Sequence, residues 1–232
     1  MGFCVISICL SRTRSKWTLS QNVHGSRMTD LVAVILAGGE GRRIGGNKPA
    51  VMLAGHCLID RAISHVSGWH IPARVAVREP GQAGSARMPE ILDDLRIAGP
   101  LGGLLGALTW AKAFGARRVI TIPCDMPNLP EDLKTRLDAA AARFDRPAVA
   151  SSLQRRHPVC AVWPIHCLEP LRIYADDGRL SLMGALEICA AVGVDWPVQG
   201  LDPFHNVNTM DDLALARRSL RGDASDFDGI RS

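Results

Sequence analysis

Residues 31–48 read LVAVILAGGEGRRIGGNK. The first seven, residues 31–37, are an unbroken apolar run rich in Val and Ile. A strand with one wet face alternates polar and apolar side chains. A continuous apolar run is instead a strand covered on both faces, as in a parallel sheet flanked by helices. The next nine residues, 38–46, contain five glycines. Without a Cβ, the backbone N–H groups of such a loop approach a bound group closely. A glycine-rich loop leaving a buried strand therefore suits phosphate oxygens, with Arg43 as a forked donor and Lys48 as a point charge. A plain glycine-rich turn with solvated arginines is the other reading of this loop alone.

Two familiar phosphate motifs do not fit. In the G-x-x-x-x-G-K pattern, Gly41 and Gly46 have the spacing, but Asn47 stands where Lys belongs. In the G-x-G-x-x-G pattern, Gly39 and Gly41 begin the fingerprint, but Ile44 replaces the third glycine.

Outward from the loop, helical and extended patterns alternate. Residues 58–68 read as a helix, 74–77 and 89–92 as strands, and 99–113 as a helix opened by Gly99-Pro100. Residues 118–122 read as a buried strand ending at Pro123-Cys124-Asp125-Met126-Pro127. A helix over 131–143, strands over 147–151 and 158–163, and a helix over 180–191 follow. The last helix, 210–220, is capped by Thr209, with Asp211 and Asp212 in its first turn. The alternation predicts a three-layer α/β/α sandwich, Rossmann-like, with a mostly parallel sheet. Ligands of such sheets sit beyond the carboxyl ends of the strands, so the loops after 37, 92 and 122 carry the chemistry.

Composition narrows the alternatives. At 47% apolar and 22% charged residues the chain is an ordinary globular one, and no apolar run approaches the roughly 20 residues of a membrane helix. The net charge of +4 comes entirely from residues 1–28, where Arg12, Arg14, Lys16 and Arg27 meet no acid. That segment is expected to be a disordered leader or a product of start-site choice, with Met28 as the start; its charges follow its short apolar run, which is not the order of a secretory signal. Residues 29–220 are expected to form the domain and 221–232 a polar tail. One Tyr, five Phe and no basic stripe argue against nucleic acid. The seven cysteines form no C-x-x-C pair, which points to free thiols in a reducing compartment.

L-A-G-G-x-x-x-R-x-G-G followed by Lys48 resembles the signature of nucleotidyltransferases that build nucleotide-bearing cofactors. Four more segments narrow the resemblance to molybdenum cofactor guanylyltransferases: Gly99-Pro100-Leu101-Gly102-Gly103, Pro123 to Pro127, Arg156-His157-Pro158, and Phe204 to Thr209 with Asp211-Asp212-Leu213. It covers residues 32–220 in the family's order. Two departures stand out: Asn47 replaces an acid before Lys48, and residues 77–80 lack a nucleotide-touching Asn, leaving Arg78 as a guess.

The resemblance implies transfer of GMP from GTP to molybdopterin, with release of pyrophosphate, in the cytoplasm. It implies Mg²⁺ bound by Asp125, which without the resemblance reads first as a helix-cap or turn residue. It assigns catalysis to Arg43, Lys48 and Asp125, and nucleotide contacts to Leu36, Ala37, Gly38, Gly39, Lys48, Asp93 and Asp125. A slip from Asp93 to Asp94 stays open. His157, Asn206 and Asn208 map to the pterin side, although the two asparagines also suit a turn. Molybdenum-insertion proteins and molybdoenzyme chaperones are the implied partners. The alternatives are a cytidylyltransferase, another enzyme of this fold, or a regulatory module without catalysis.

Overall fold

The computed structural model describes residues 29–38, 48–84 and 87–221. The glycine loop at 39–47, with Gly39 and Arg43, lies outside the described residues, as do residues 1–28 and 222–232. The fold begins with β1 (Leu31–Leu36), in which Leu31 to Ile35 are buried. Its side chains alternate between two cores, as the apolar run requires: Ala33 and Ile35 enter one, Val32 and Val34 the other.

A two-residue hairpin follows, β2 (Met52–Leu53) and β3 (His56–Cys57), turning at Ala54 and Gly55 with φ of 48° and 84°. Then come α1 (Leu58–Ser67), β4 (Ala73–Val77), β5 (Glu90–Leu92), α2 (Pro100–Phe114), β6 (Arg118–Pro123) and α3 (Leu133–Phe144). The chain continues through β7 (Ala148–Ser152), β8 (Arg155–Pro164), α4 (Leu168–Asp176), α5 (Leu182–Ile188), β9 (Val192–Asp195) and α6 (Met210–Arg221).

The central sheet has the order β5-β4-β1-β6-β8-β7-β9. β1 pairs in parallel with β4 and β6, β4 with β5, and β7 with β9. β8 alone runs against its neighbours β6 and β7. The expected mostly parallel sandwich is therefore the observed one. Helices α1 and α3 cover one face, and α2, α4 and α5 the other. A small third cluster binds α6 to the hairpin and the start of α1 through Leu53, Leu58, Val207, Leu213 and Ala216.

The sequence reading needs correction at four places. The helix expected over 180–191 is shorter, Leu182–Ile188, because Ala190 turns to φ 53° and the chain enters β9. Helix α4 and the small hairpin were not foreseen. Helix α3 starts at Leu133, two residues later than read, and Asp132 accepts instead from Trp196 Nε1 at 2.8 Å.

Helix α2 lies close to the sheet edge. A Cβ on Gly106 would lie 2.5 Å from the Leu92 carbonyl oxygen, and one on Gly102 2.6 Å from that of Ile97. Both neighbours are backbone and cannot rotate away. Gly106→Ala is expected to destabilise the fold by about 1–3 kcal/mol despite alanine's better helix propensity. Urea unfolding measures this; an unchanged or higher midpoint would show that the helix shifts freely.

Candidate active site

Three chain segments meet beyond the carboxyl end of β6. Lys48 follows the glycine loop, opens a short 3-10 turn and is 9% exposed. Its Nζ donates to Asp125 Oδ2 at 2.5 Å and to Asn208 Oδ1 at 2.5 Å. Asp125 follows β6, whose last pairing sets Pro123 beside Leu36. The Val207 N–H donates to the Asp125 carbonyl at 2.9 Å, so the segment carrying Asn208 is tied to the strand end twice. Asn208 is held by the start of α6: Asp212 accepts from the Asn208 and Thr209 N–H groups, and Thr209 Oγ1 accepts from the Asp212 N–H. This is a reciprocal cap with Asp at its third helical position. Lys48, Asp125 and Asn208, three of the expected site residues, thus form one cluster.

Asp125 Oδ1 is enclosed and has no hydrogen-bond partner among the described residues. A buried carboxylate oxygen without a donor is costly, and a cation is one natural partner. No group of three or more His, Cys, Asp or Glu side chains able to hold a metal occurs among the described residues. The donor set fits a hard divalent ion of the Mg²⁺ type, which takes one or two carboxylates and completes its shell with substrate phosphates and water. Burial pushes the neighbouring Cys124 thiol up to about 12, which makes it packing rather than a ligand.

The second cluster lies at the β1 and β5 ends. Leu36 O accepts from the Cys124 N–H at 3.2 Å, and the Ala37 N–H donates to Ala76 O at 2.9 Å. Gly38 faces Asp93 and Arg78: a Cβ there would lie 2.7 Å from Asp93 Oδ2 and 3.2 Å from Arg78 Cγ. Across from it, a Cβ on Gly103 would lie 3.3 Å from Asp93 Oδ1. The glycines of GPLGG and of the loop thus make room for one carboxylate. Asp93 Oδ1 is enclosed without a partner among the described residues. Burial raises its pKa, against the opposing charge of Arg78. The two adjacent acids separate clearly: Asp94 is held by Arg96 Nε and Nη2 at 3.0 and 2.7 Å, which lowers its pKa. Asp93 is the one turned inward. Arg78, only a guess from sequence, stands beside it.

The remaining expected residues sit nearby in the chain but not in the lysine cluster. His157, near the start of β8, bonds Ser152 Oγ through Nε2 at 2.7 Å and stacks on Phe204 at 4.6 Å. Asn206 Oδ1 is enclosed without a partner among the described residues. No motif pointed to Ser152 or Asp202; the one available signal was Asp202-Pro203, a turn former whose carboxylate accepts from the Phe204 N–H at 2.9 Å.

An open, doubly covered sheet that gathers a lysine, a carboxylate with a free oxygen and glycine-spaced backbone at its strand ends is a nucleotide-handling architecture. The family model described as the MobA-like NTP transferase domain matches residues 33–189. A molybdenum cofactor guanylyltransferase of Mesorhizobium japonicum is 40% identical over 203 residues, covering 83% of this chain and 97% of the relative. One of Sinorhizobium fredii is 38% identical over 200 residues, covering 81% and 91%. Molybdopterin-guanine dinucleotide biosynthesis protein A from Archaeoglobus fulgidus shares the fold with TM-score 0.68 at 24% identity, covering 83% of this chain and 99% of that one. The chain belongs to the MobA-like NTP transferases.

The raised pKa of Asp93 gives a signed expectation. A carboxyl that binds its proton more tightly when folded makes the fold less stable as pH rises above 3.8, its ordinary value. Asp93→Asn should therefore raise the melting temperature at neutral pH, with the gain shrinking as pH falls toward that value. Thermal melts across this range test it; a lower melting temperature at neutral pH would mean that Arg78 outweighs burial.

Proposed function

We propose that this chain transfers GMP from GTP to molybdopterin, forming molybdopterin guanine dinucleotide and pyrophosphate. The observation that carries the reading is the convergence of Lys48, Asp125 and Asn208 in a chain 40% identical to a molybdenum cofactor guanylyltransferase. Residues 29–220 are the catalytic domain. The fold neighbours include a CMP:2-keto-3-deoxy-manno-octonic acid synthetase complexed with CTP, with TM-score 0.61 at 12% identity, so the architecture alone leaves the base open.

In this reading the terminal phosphate oxygen of molybdopterin attacks the α-phosphorus of GTP. The bond from that phosphorus to the bridging oxygen breaks, and pyrophosphate leaves with the electron pair. The chain's own contribution is placement and charge. Lys48 sets a cation beside the triphosphate, together with Arg43 of the loop. Leu36, Ala37, Gly38 and Gly39 bring backbone groups to the nucleotide. Asp93, with an unpartnered oxygen, accepts from the nucleotide's donor groups. Asp125 holds Mg²⁺, which supplies charge neutralisation at the phosphates when bound. His157, Asn206 and Asn208 face the pterin-bearing substrate. The reaction is cytoplasmic, and the product passes to molybdenum-insertion proteins and molybdoenzyme chaperones.

Two measurements test the proposal. Turnover with molybdopterin should proceed with GTP and be much weaker with CTP; a preference for CTP would overturn the guanylyl assignment. Asp125→Ala should lower GTP- and Mg²⁺-dependent product formation by about 100-fold or more. Undiminished formation in that variant would remove Asp125 from the metal site.

A further inference from the structure

Behind the strand ends lies a buried polar chain that the proposed reaction does not use. Ser152 closes β7 and is fully buried. Its Oγ lies 2.9 and 2.8 Å from the two carboxylate oxygens of Asp202, and 2.7 Å from His157 Nε2. A hydroxyl has one proton to give, and a carboxylate only accepts. The proton therefore goes to Asp202, and Ser152 Oγ accepts from His157 Nε2–H. Burial pushes the imidazole pKa down, with Asp202 opposing and Arg155 adding to the effect, so the ring is neutral at neutral pH. A neutral ring protonated at Nε2 carries its lone pair on Nδ1. That nitrogen makes no hydrogen bond among the described residues; the side chain as a whole is buried, at 5% exposure, so a partner for Nδ1 must come from a bound group or water.

The ring is also fixed in place. It stacks on Phe204, which packs edge-on against Trp196 at 5.5 Å. Phe204 belongs to the segment that continues through Val207, bonded to Asp125, to Asn208, bonded to Lys48. The polar chain and the lysine cluster thus share one stretch of backbone. β8 runs antiparallel to β6, so its beginning lies at the same sheet edge as the end of β6.

We propose that Ser152 and Asp202 are positioning residues that hold His157 in the Nε2–H tautomer, so that Nδ1 accepts a hydrogen bond from an N–H of the pterin-bearing substrate. The inference rests on the function proposed above. It assigns a tautomer and two residues that this function leaves without a role.

The test uses the full chain with molybdopterin and GTP. The ¹⁵N resonances of His157 should show Nε2 protonated and Nδ1 bare; a protonated Nδ1 would overturn the proposal. In His157→Gln the amide nitrogen can replace Nε2 toward Ser152, but nothing replaces Nδ1. The KM for molybdopterin should rise about tenfold, with the KM for GTP little changed. His157→Asn, whose carbonyl oxygen can stand at the Nδ1 position, should recover part of the loss. Ser152→Ala should raise the same KM and bring protonated Nδ1 into the spectrum. An unchanged KM in His157→Gln, with wild-type turnover intact, overturns this inference alone. A wild type inactive with molybdopterin overturns the function and the inference together.

Discussion

The contact of Lys48 with Asp125 and Asn208 is the constraint around which the strand ends are arranged. It joins residues separated by 77 and 160 positions, and both ionic side chains are largely withdrawn from water, at 11% and 17% exposure. Burying such a pair costs desolvation, which mutual attraction recovers only when the geometry is good and further hydrogen bonds are made. The Asn208 amide provides one on the lysine side. On the acid side one oxygen has no partner among the described residues. The cluster is therefore electrostatically incomplete, and that incompleteness is what the proposed metal and phosphates would satisfy.

The second cluster shows the same pattern. Gly38 and Gly103 give up side chains so that Asp93 can sit between them, and Gly106 lets α2 approach the backbone beyond β5. The acid that occupies this space is held partly away from water with one oxygen unpaired. Stability is given up at these positions, a pattern expected where polar groups are arranged for a bound partner.

Much of this was legible in the sequence. The run at residues 31–37 announced a doubly covered strand because both cores draw on it. PCDMP marked the loop that holds Asp125, GPLGG the start of α2, and the end of the strand read over 89–92 the place of Asp93. Three things were hidden. β9 is only four residues long and begins directly after the stretch read as a helix, 180–191, so too little extended pattern remained to mark a strand. Helix α4 carries Pro170 in its first turn, where proline is tolerated but reads as a break. Ser152 and Asp202 are ordinary polar residues in sequence and acquire meaning only because β7 and the 202–208 segment bring them together.

The cap at Thr209 has a consequence for how the molecule is made. Synthesis runs from the N-terminus, so β1, α2 and β6 are available for pairing well before Asn208 leaves the ribosome. Until then neither the Asn208 amide nor the Val207 N–H is available to Lys48 and Asp125. The first turn of α6, among the last parts of the domain to emerge, completes the charge arrangement. The arrangement can become whole only once the first turn of α6 has been made.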